Sequence, residues 1–341
     1  NNLVHLHLHT EYSVLDGAIK IGELIERVAE LEMGAVAVTD HGVMYGIYEL
    51  FDKAANHNKV IEKKITALLV DKKKGANPQR IDEQVNKLIR QLVKPIAGVE
   101  GYLTFSQPGQ NVPRYHIVLL AKTLRGYRNL CALVSRSHQE ENFYRKPCIT
   151  FDLLREYGED IIVSSACIAG PVARPILDME LVRPSKKDEK DGRRVLGGME
   201  LSRKNAQMLS EAFPGRFYLE LMLHPYSGEP KTNNVYPYQA YAAAALLLFA
   251  KEMNLPLLIT NDAHFLKKGD ADVQQMLVAI GTSKTMDDPK LLTYTHQEYV
   301  KSYDELREIF QNAYSEIAED YLKLQQSEGV ATPATLPEDE Y

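Results

Sequence analysis

Three histidines alternate with apolar residues at the start of the chain, in Leu3-Val4-His5-Leu6-His7-Leu8-His9. In an extended strand this order puts Val4, Leu6 and Leu8 on one face and three imidazoles on the other. Buried without partners, those imidazoles would leave donors and acceptors unsatisfied at roughly 1–3 kcal/mol each. A divalent cation is one answer, because neutral imidazole is a ligand for zinc, iron and manganese. A hydrogen-bonded core pair or a solvated strand end is the other. The surroundings of the motif weigh toward the cation. His9, His41, Glu100, Cys167, Asp262 and His264 all lie at or just beyond the ends of predicted strands, and such a set suits several cations better than one. His116 is the exception, since it precedes its apolar run instead of following it.

The elements that must position these groups alternate in type. Ile21, Leu24, Ile25, Val28 and Leu31 recur at helical spacing until Gly34 stops the helix. A strand is predicted over 35–39, then a helix to about residue 55, then strands over 96–99, 117–121, 161–165, 217–223 and 257–260. With 3–8 these make a seven-stranded α/β pattern. Strands separated by helices favour a parallel sheet or barrel, whose functional groups gather at the C-terminal strand ends.

Two stretches interrupt the pattern. Residues 62–94 are rich in Lys and Arg, with an amphipathic helix suggested by Ile81, Val85, Leu88, Ile89 and Leu92, and read as a surface insertion over about 60–94. Contact with nucleic acid or a partner is one reading of that charge; a solvated loop and helix is the plainer and preferred one. The second stretch, 183–198, reads as a mobile surface loop, and 327–341 as an acidic terminus or the start of a linker.

Composition narrows the class. At 341 residues with 45% hydrophobic and 25% charged residues, the chain has the balance of a soluble globular protein able to bury a large core. No apolar run approaches the ~18 residues that span a bilayer, and 242–250 reads as a buried helix segment. Cys131, Cys148 and Cys167 form neither a disulfide pattern nor a Cys-x-x-Cys pair, so a reducing, cytoplasmic setting is expected. The first residue is Asn, which leads us to expect an excised or processed segment. A net charge of −6 argues against a protein that coats DNA, while leaving room for a nucleic-acid end held at a local cationic site.

Several of these segments together carry a resemblance. The run His5-Leu-His-Leu-His9-Thr-Glu-Tyr-Ser-Val-Leu-Asp16-Gly, followed by Val38-Thr-Asp-His41-Gly, resembles the PHP (polymerase and histidinol phosphatase) domain of bacterial replicative DNA polymerase III alpha subunits. The likeness continues through Lys94-Pro-Ile-Ala-Gly-Val-Glu100, Tyr115-His-Ile-Val-Leu-Leu-Ala121, Ser164-Ser-Ala-Cys167-Ile-Ala-Gly170, Phe217-Tyr-Leu-Glu-Leu221 and Thr260-Asn-Asp-Ala-His264. It spans about residues 3–310.

This resemblance implies a distorted seven-stranded (β/α)7 barrel with surface insertions over 1–310, and a C-terminal helix and acidic tail or linker over 311–341. It also implies two or three divalent ions, zinc, manganese or iron, held by His7, His9, Asp16, His41, Glu100, His116, Cys167, Asp262 and His264. Read alone, Asp16 before Gly17 could equally be a turn residue, Asp40 could cap a helix and leave His41 a bystander, and Cys167 could be an inert core residue. His5, deeper in its strand, is expected behind the ligands or in the core. Arg114, Lys122, Arg145 and His224 are candidate phosphate contacts, while His57, His138 and His296 receive no role.

The activity implied is metal-dependent phosphoester hydrolysis, in the form of a 3′-5′ exonuclease with a proofreading role. A metal-activated hydroxide, held by the ligand set with Asp262 and His264, would attack a phosphodiester. The expected partners are a DNA 3′ end or primer-template and the remainder of a polymerase with its replisome proteins, with no membrane. Two other expectations stand beside it: a metal-stabilised interaction module without catalysis, and a small-molecule phosphomonoesterase. No run of paired aspartates follows Tyr303, so this chain alone is not expected to polymerise DNA.

Overall fold

The first histidine run meets two different neighbours, and this shapes the whole sheet. In the computed structural model, which describes residues 3–109, 112–181, 197–228 and 232–328, residues 3–8 do not form the continuous strand expected. His5 bridges Val36 and Leu8 bridges Ala263. The carbonyls of His5 and Leu8, three residues apart, accept from the N–H groups of Ala37 and Thr39, two apart. One extra residue therefore bulges between them and breaks strict alternation. His5 turns to the Lys301 carbonyl at 2.9 Å, whereas His7 and His9 face the cluster described below.

The chain continues through α1 (Ile21–Glu30), β1 (Ala35–Val38), α2 (Ile47–Lys73), α3 (Pro78–Ile89), β2 (Lys94–Thr104) and β3 (Tyr115–Ala121). After α4 (Leu124–Ser137) come the short strands β4 (Phe143–Tyr144), β5 (Lys146–Pro147) and β6 (Ile149–Thr150), then α5 (Phe151–Glu156) and β7 (Ile161–Ser164). The rest is α6 (Ala173–Leu181), α7 (Gly198–Ala212), β8 (Phe217–Leu221), α8 (Tyr236–Met253), β9 (Leu257–Ile259), α9 (Ala271–Gly281) and α10 (Tyr303–Ser327). Helix α1 buries Ile21, Leu24, Ile25 and Val28, the stripe its spacing requires.

The 7-stranded sheet runs β1-β2-β3-β7-β8-β9, with β6 beside β2. Residues 3–8 bridge β1 on one side and the loop after β9 on the other, so the curled sheet has its two edges joined by the N-terminal segment. The expectation of a parallel sheet is corrected at β3, which is antiparallel to both β2 and β7. Among the described residues no helix separates β2 from β3, and a strand that returns without a crossover must run back. The N-terminal end of β3 therefore lies at the same rim as the C-terminal ends of the other strands.

The basic insertion is helical. Helix α2 runs on to Lys73, well past residue 55, and packs with α3, which Asn77 caps through Arg80 N at 3.1 Å. Apart from Lys72, the insertion's lysines and arginines are exposed. Helix α8 buries Ala242 through Ala250 on every side, between the sheet and α10. Helix α10 passes residue 310 without a break, and Phe310, Ala313, Ile317, Tyr321 and Leu324 join the same core as Phe249. Among the described residues no helix is long and apolar enough to cross a membrane. Residues 183–196 of the expected loop and 329–341 of the expected tail lie outside the described residues.

Candidate metal centre

Strand ends deliver the candidate ligands to one rim. His9 follows the N-terminal bulge, His41 follows β1, Cys167 follows β7, and Asp262 and His264 follow β9, while Glu100 stands within β2. His116 arrives from the opposite direction, at the start of the reversed β3 opposite Tyr102 of β2. That reversal explains why it precedes its apolar run.

Three groups have ligand atoms within 4.8 Å of one another: His9, His41 and His264; His7, His9 and Asp262; and Glu100, His116 and Cys167. Glu100 links them, with Oε1 at 3.1 Å from His7 and 2.7 Å from His116, and Oε2 at 2.6 Å from His41. Asp262 Oδ1 lies 3.1 Å from His7 Nε2 and 3.0 Å from His9 Nε2. Asp16 Oδ2 is 3.3 Å from His41 Nε2. His7, His9 and Glu100 form the buried floor, and His41, His116, Asp262 and Cys167 are partly open to solvent.

Supporting hydrogen bonds aim the rings. His7 Nδ1 donates to Glu220 Oε1 at 2.7 Å, His9 Nδ1 to Ser13 Oγ at 3.1 Å, and His264 Nδ1 to the Asp262 carbonyl at 2.8 Å. Each leaves Nε2 directed into the site. Ser13 Oγ in turn donates to Asp40 Oδ1, which also accepts from Thr10 N at 2.7 Å. Asp40 thus anchors the 10–13 turn and does not cap α2, whose N-cap is Gly46. Asp16 accepts from the Tyr294 hydroxyl at 2.9 Å.

The donor set fits cations. His9 Nε2, His264 Nε2, Asp262 Oδ1, Glu100 Oε2 and Asp16 Oδ1 are buried with no hydrogen bond of acceptable geometry. His9 Nε2 and Asp262 Oδ1 stand 3.0 Å apart, a spacing two donors to a shared cation would have. Soft thiol, imidazole and carboxylate together suit zinc, manganese or iron.

The protein's own charges respond to this crowding. Burial opposes ionisation of Glu100, but His116 and His41 hold it well below the usual carboxylate range. The same contest at Asp262, with burial against His7, His264 and His9, also leaves it well below. Burial, with His41 and His264 alongside, pushes His9 down to about 3. At His41 the carboxylates of Glu100 and Asp16 outweigh burial and raise it to about 10. Burial pushes the Cys167 thiol well up, and Asp262 and Glu100 push it further. His7 is likewise raised against burial by Asp262 and Glu220; a cation would take the place of its Nε2 proton.

The phosphate contacts expected from sequence fare differently. Lys122 follows the C-terminal end of β3, and because β3 is reversed it stands at the far rim, its backbone N–H bonded to the Asp160 carbonyl. His224 is buried, with Nε2 on the Asn261 carbonyl at 3.1 Å and Nδ1 beside Gln239, so it faces the underside of the Asp262 loop. Arg114 donates to Gly109 O and Cys148 Sγ beside the β4–β5 hairpin, and Arg145 is exposed at that hairpin's turn.

Glu220 is the residue sequence reasoning missed. It is buried near the C-terminal end of β8 and takes hydrogen bonds from His7, Thr260 and Ser164. A lone carboxylate within the otherwise apolar alternation of Phe217-Tyr-Leu-Glu-Leu221 was the available signal.

Comparison with known proteins defines the class. The PHP domain model matches residues 5–224, and the chain belongs to that family. Over 317 residues it is 30% identical to the DNA polymerase III subunit alpha of Borreliella burgdorferi, covering 91% of this chain and 22% of that protein. Over 310 residues it is 32% identical to the same subunit of Helicobacter pylori (strain ATCC 700392 / 26695), covering 90% of this chain and 21% of that protein. The chain thus spans about a fifth of the length of these relatives. Among solved structures, an amidohydrolase from Chromobacterium violaceum is similar at 15% identity, with a TM-score of 0.29 over 77% of this chain and 88% of that one.

Proposed function

We propose that this chain is a metal-dependent phosphoesterase domain of a replicative DNA polymerase, acting as a 3′-5′ exonuclease on a DNA end in the cytoplasm. The observation that carries the reading is the convergence of orphaned imidazole and carboxylate atoms on one rim, linked through Glu100. His7, His9, His41, His116, His264, Asp16, Glu100, Asp262 and Cys167 would hold two or three divalent ions. Bound there, such ions lower the pKa of water and neutralise charge on a phosphoryl oxygen and its leaving group. The chain's own residues supply the rest. Glu220, Ser13 and the Asp262 carbonyl fix ring orientation, the buried floor keeps bulk water out, and the partly open His41, His116 and Asp262 face the entering phosphate.

The test is hydrolysis of a 5′-labelled single strand and a mismatched primer-template by manganese- or zinc-loaded protein, with Asp262→Asn as the paired control. Shortening from the 3′ end that disappears in the variant is expected. If p-nitrophenyl phosphate is cleaved and DNA is not, the small-molecule phosphomonoesterase reading replaces the exonuclease. No cleavage of any phosphoester by protein shown to contain metal leaves a metal-stabilised interaction module.

A further inference from the structure

The hairpin of β4 and β5 stands against the cluster and carries charge that the ligand set does not use. Its strands pair Phe143 with Pro147 and Tyr144 with Lys146, and Arg145 makes the turn with φ at 62°. The base is closed by Cys148 N on the Asn142 carbonyl at 3.0 Å. Pro147 packs on Gly42, the residue after His41: a Cβ at Gly42 would come within 2.9 Å of the Pro147 ring. Only hydrogen at that position allows the hairpin to sit so close.

Two layers of cation on aromatic ring follow from this docking. Lys146 Nζ lies 4.4 Å from the centroid of Tyr102 and 3.4 Å from its hydroxyl. Tyr102 in turn meets His116 edge-on at 5.4 Å and stacks with His41 at 6.5 Å. One ring therefore separates Lys146 from two of the ligand histidines. On the hairpin itself, Arg114 and Arg145 place their guanidinium carbons 5.3 Å and 5.8 Å from the centroid of Tyr144. Phe143 is 46% exposed. Among the described residues neither Arg145 nor Lys146 has a carboxylate within ion-pair distance; Glu140 and Glu141 precede the hairpin on a separate turn.

A small phosphomonoester brings one phosphate, which the rim itself could hold. Cations and flat rings that continue outward from the rim suit a ligand with repeated phosphates and flat bases. Base stacking on aromatic side chains contributes about 1–3 kcal/mol per base, and cations track the backbone without reading sequence. We infer that Phe143–Pro147, together with Arg114, forms a guide that selects a single-stranded nucleic-acid end and feeds it to the metal centre. This deepens the proposed function and rests on it.

The experiment measures binding of fluorescein-labelled, phosphorothioate-protected dT12 to the whole chain by anisotropy across a salt series. It compares wild type, Arg145→Ala/Lys146→Ala, Arg145→Lys/Lys146→Arg and Phe143→Ala, with melting temperature as the check on folding. For single strands the salt slope changes by about 0.7 per phosphate contact, so losing both cations should flatten it by about 1.4 and weaken binding at least tenfold at low salt. The charge-preserving pair should keep the wild-type slope, and Phe143→Ala should weaken binding without changing it. Wild-type affinity and slope in Arg145→Ala/Lys146→Ala would overturn the assignment. So would equal weakening for duplex DNA, or competition by poly-glutamate as strong as that by unlabelled dT12. If the wild type hydrolyses bis(p-nitrophenyl) phosphate yet does not bind dT12, the guide fails and the phosphoesterase stands. If dT12 binds through the hairpin while no phosphoester is cleaved, the guide stands and the phosphoesterase fails.

Discussion

Glu220 sets the state of His7 without reaching the rim itself. Its Oε1 accepts from His7 Nδ1 at 2.7 Å and from Thr260 Oγ1 at 2.6 Å, so the imidazole is fixed in both orientation and tautomer. Partners of this kind typically contribute 10- to 100-fold to metal affinity. Glu220→Gln should therefore weaken zinc or manganese binding by about that factor in chelator competition, with the circular dichroism spectrum unchanged; equal affinity would show that Glu220 serves packing alone. Lys301 supports the site from beneath. It is wholly buried and donates to Asn261 Oδ1 at 3.1 Å, next to the strained Asp262 at φ 46°. Burial pushes its ammonium down to about 7 against the pull of Glu298 and Glu305. Between that value and the unfolded value of about 10.4 the unfolded chain binds more protons, so stability rises with pH across this window. Lys301's contribution is full above the window and lost as pH falls through about 7. Urea midpoints at pH 7, 8.5 and 10 should show wild type gaining on Lys301→Met as pH rises; a constant difference would refute the assignment. The residues that converge on the rim could be picked out as candidate ligands from sequence because His, Asp, Glu and Cys at successive strand ends repeat one chemistry. Glu220 could not, because one acid in an alternating strand looks the same whether it faces water or a buried imidazole.

Direction is the property of β3 that decides which residues share the rim. Reversal brings His116 to the cluster and carries Lys122 to the far side, so two expectations about charged residues turn on a single strand. The run 117–121 announces a strand from its apolar content and says nothing of its sense. The sense lies in the connection, where among the described residues no helix separates β2 from β3. Likewise, the alternation of residues 3–9 gave no warning of a bulge, since that depends on two partners distant in sequence, Val36 and Ala263. The packing of β2 on β3 depends in turn on Gly98, opposite Leu120. A Cβ there would meet Leu120 Cδ2 at 2.6 Å, Leu119 O at 2.9 Å and Thr39 Cγ2 at 2.9 Å. Gly98→Ala should cost about 1–3 kcal/mol by overpacking. Because the strain spreads β2 from β3, it should also loosen the group of Glu100, His116 and Cys167. A urea midpoint shift together with reduced metal content would support this coupling; loss of stability with full metal content would separate packing from the site.

At the scale of the molecule, the candidate ligands come from segments that are far apart in the chain. His7 and His9 lie in the N-terminal segment, Glu100 in β2, and Asp262 and His264 beyond β9. Cations shared among them would tie the joined edges of the sheet together. A ligand that binds the folded state alone stabilises it by RT ln(1 + [L]/Kd), about 4.1 kcal/mol at a thousandfold excess over Kd. The unfolded chain presents the same side chains without the convergence, so it competes poorly for the ion. Chelation should then lower the melting temperature by several degrees, and adding back zinc or manganese should restore it in proportion to the logarithm of free metal. Asp262→Asn removes the carboxylate charge that stands 3.1 Å from His7 Nε2 and 3.0 Å from His9 Nε2, so its melting temperature should respond far less to metal. Hydrogen exchange would locate the effect. Protection lost on chelation should concentrate in residues 5–10 and 261–265, where the N-terminal segment bonds the loop after β9. Uniform loss across the sheet would mean that the ions act on global stability without specifically clasping that junction.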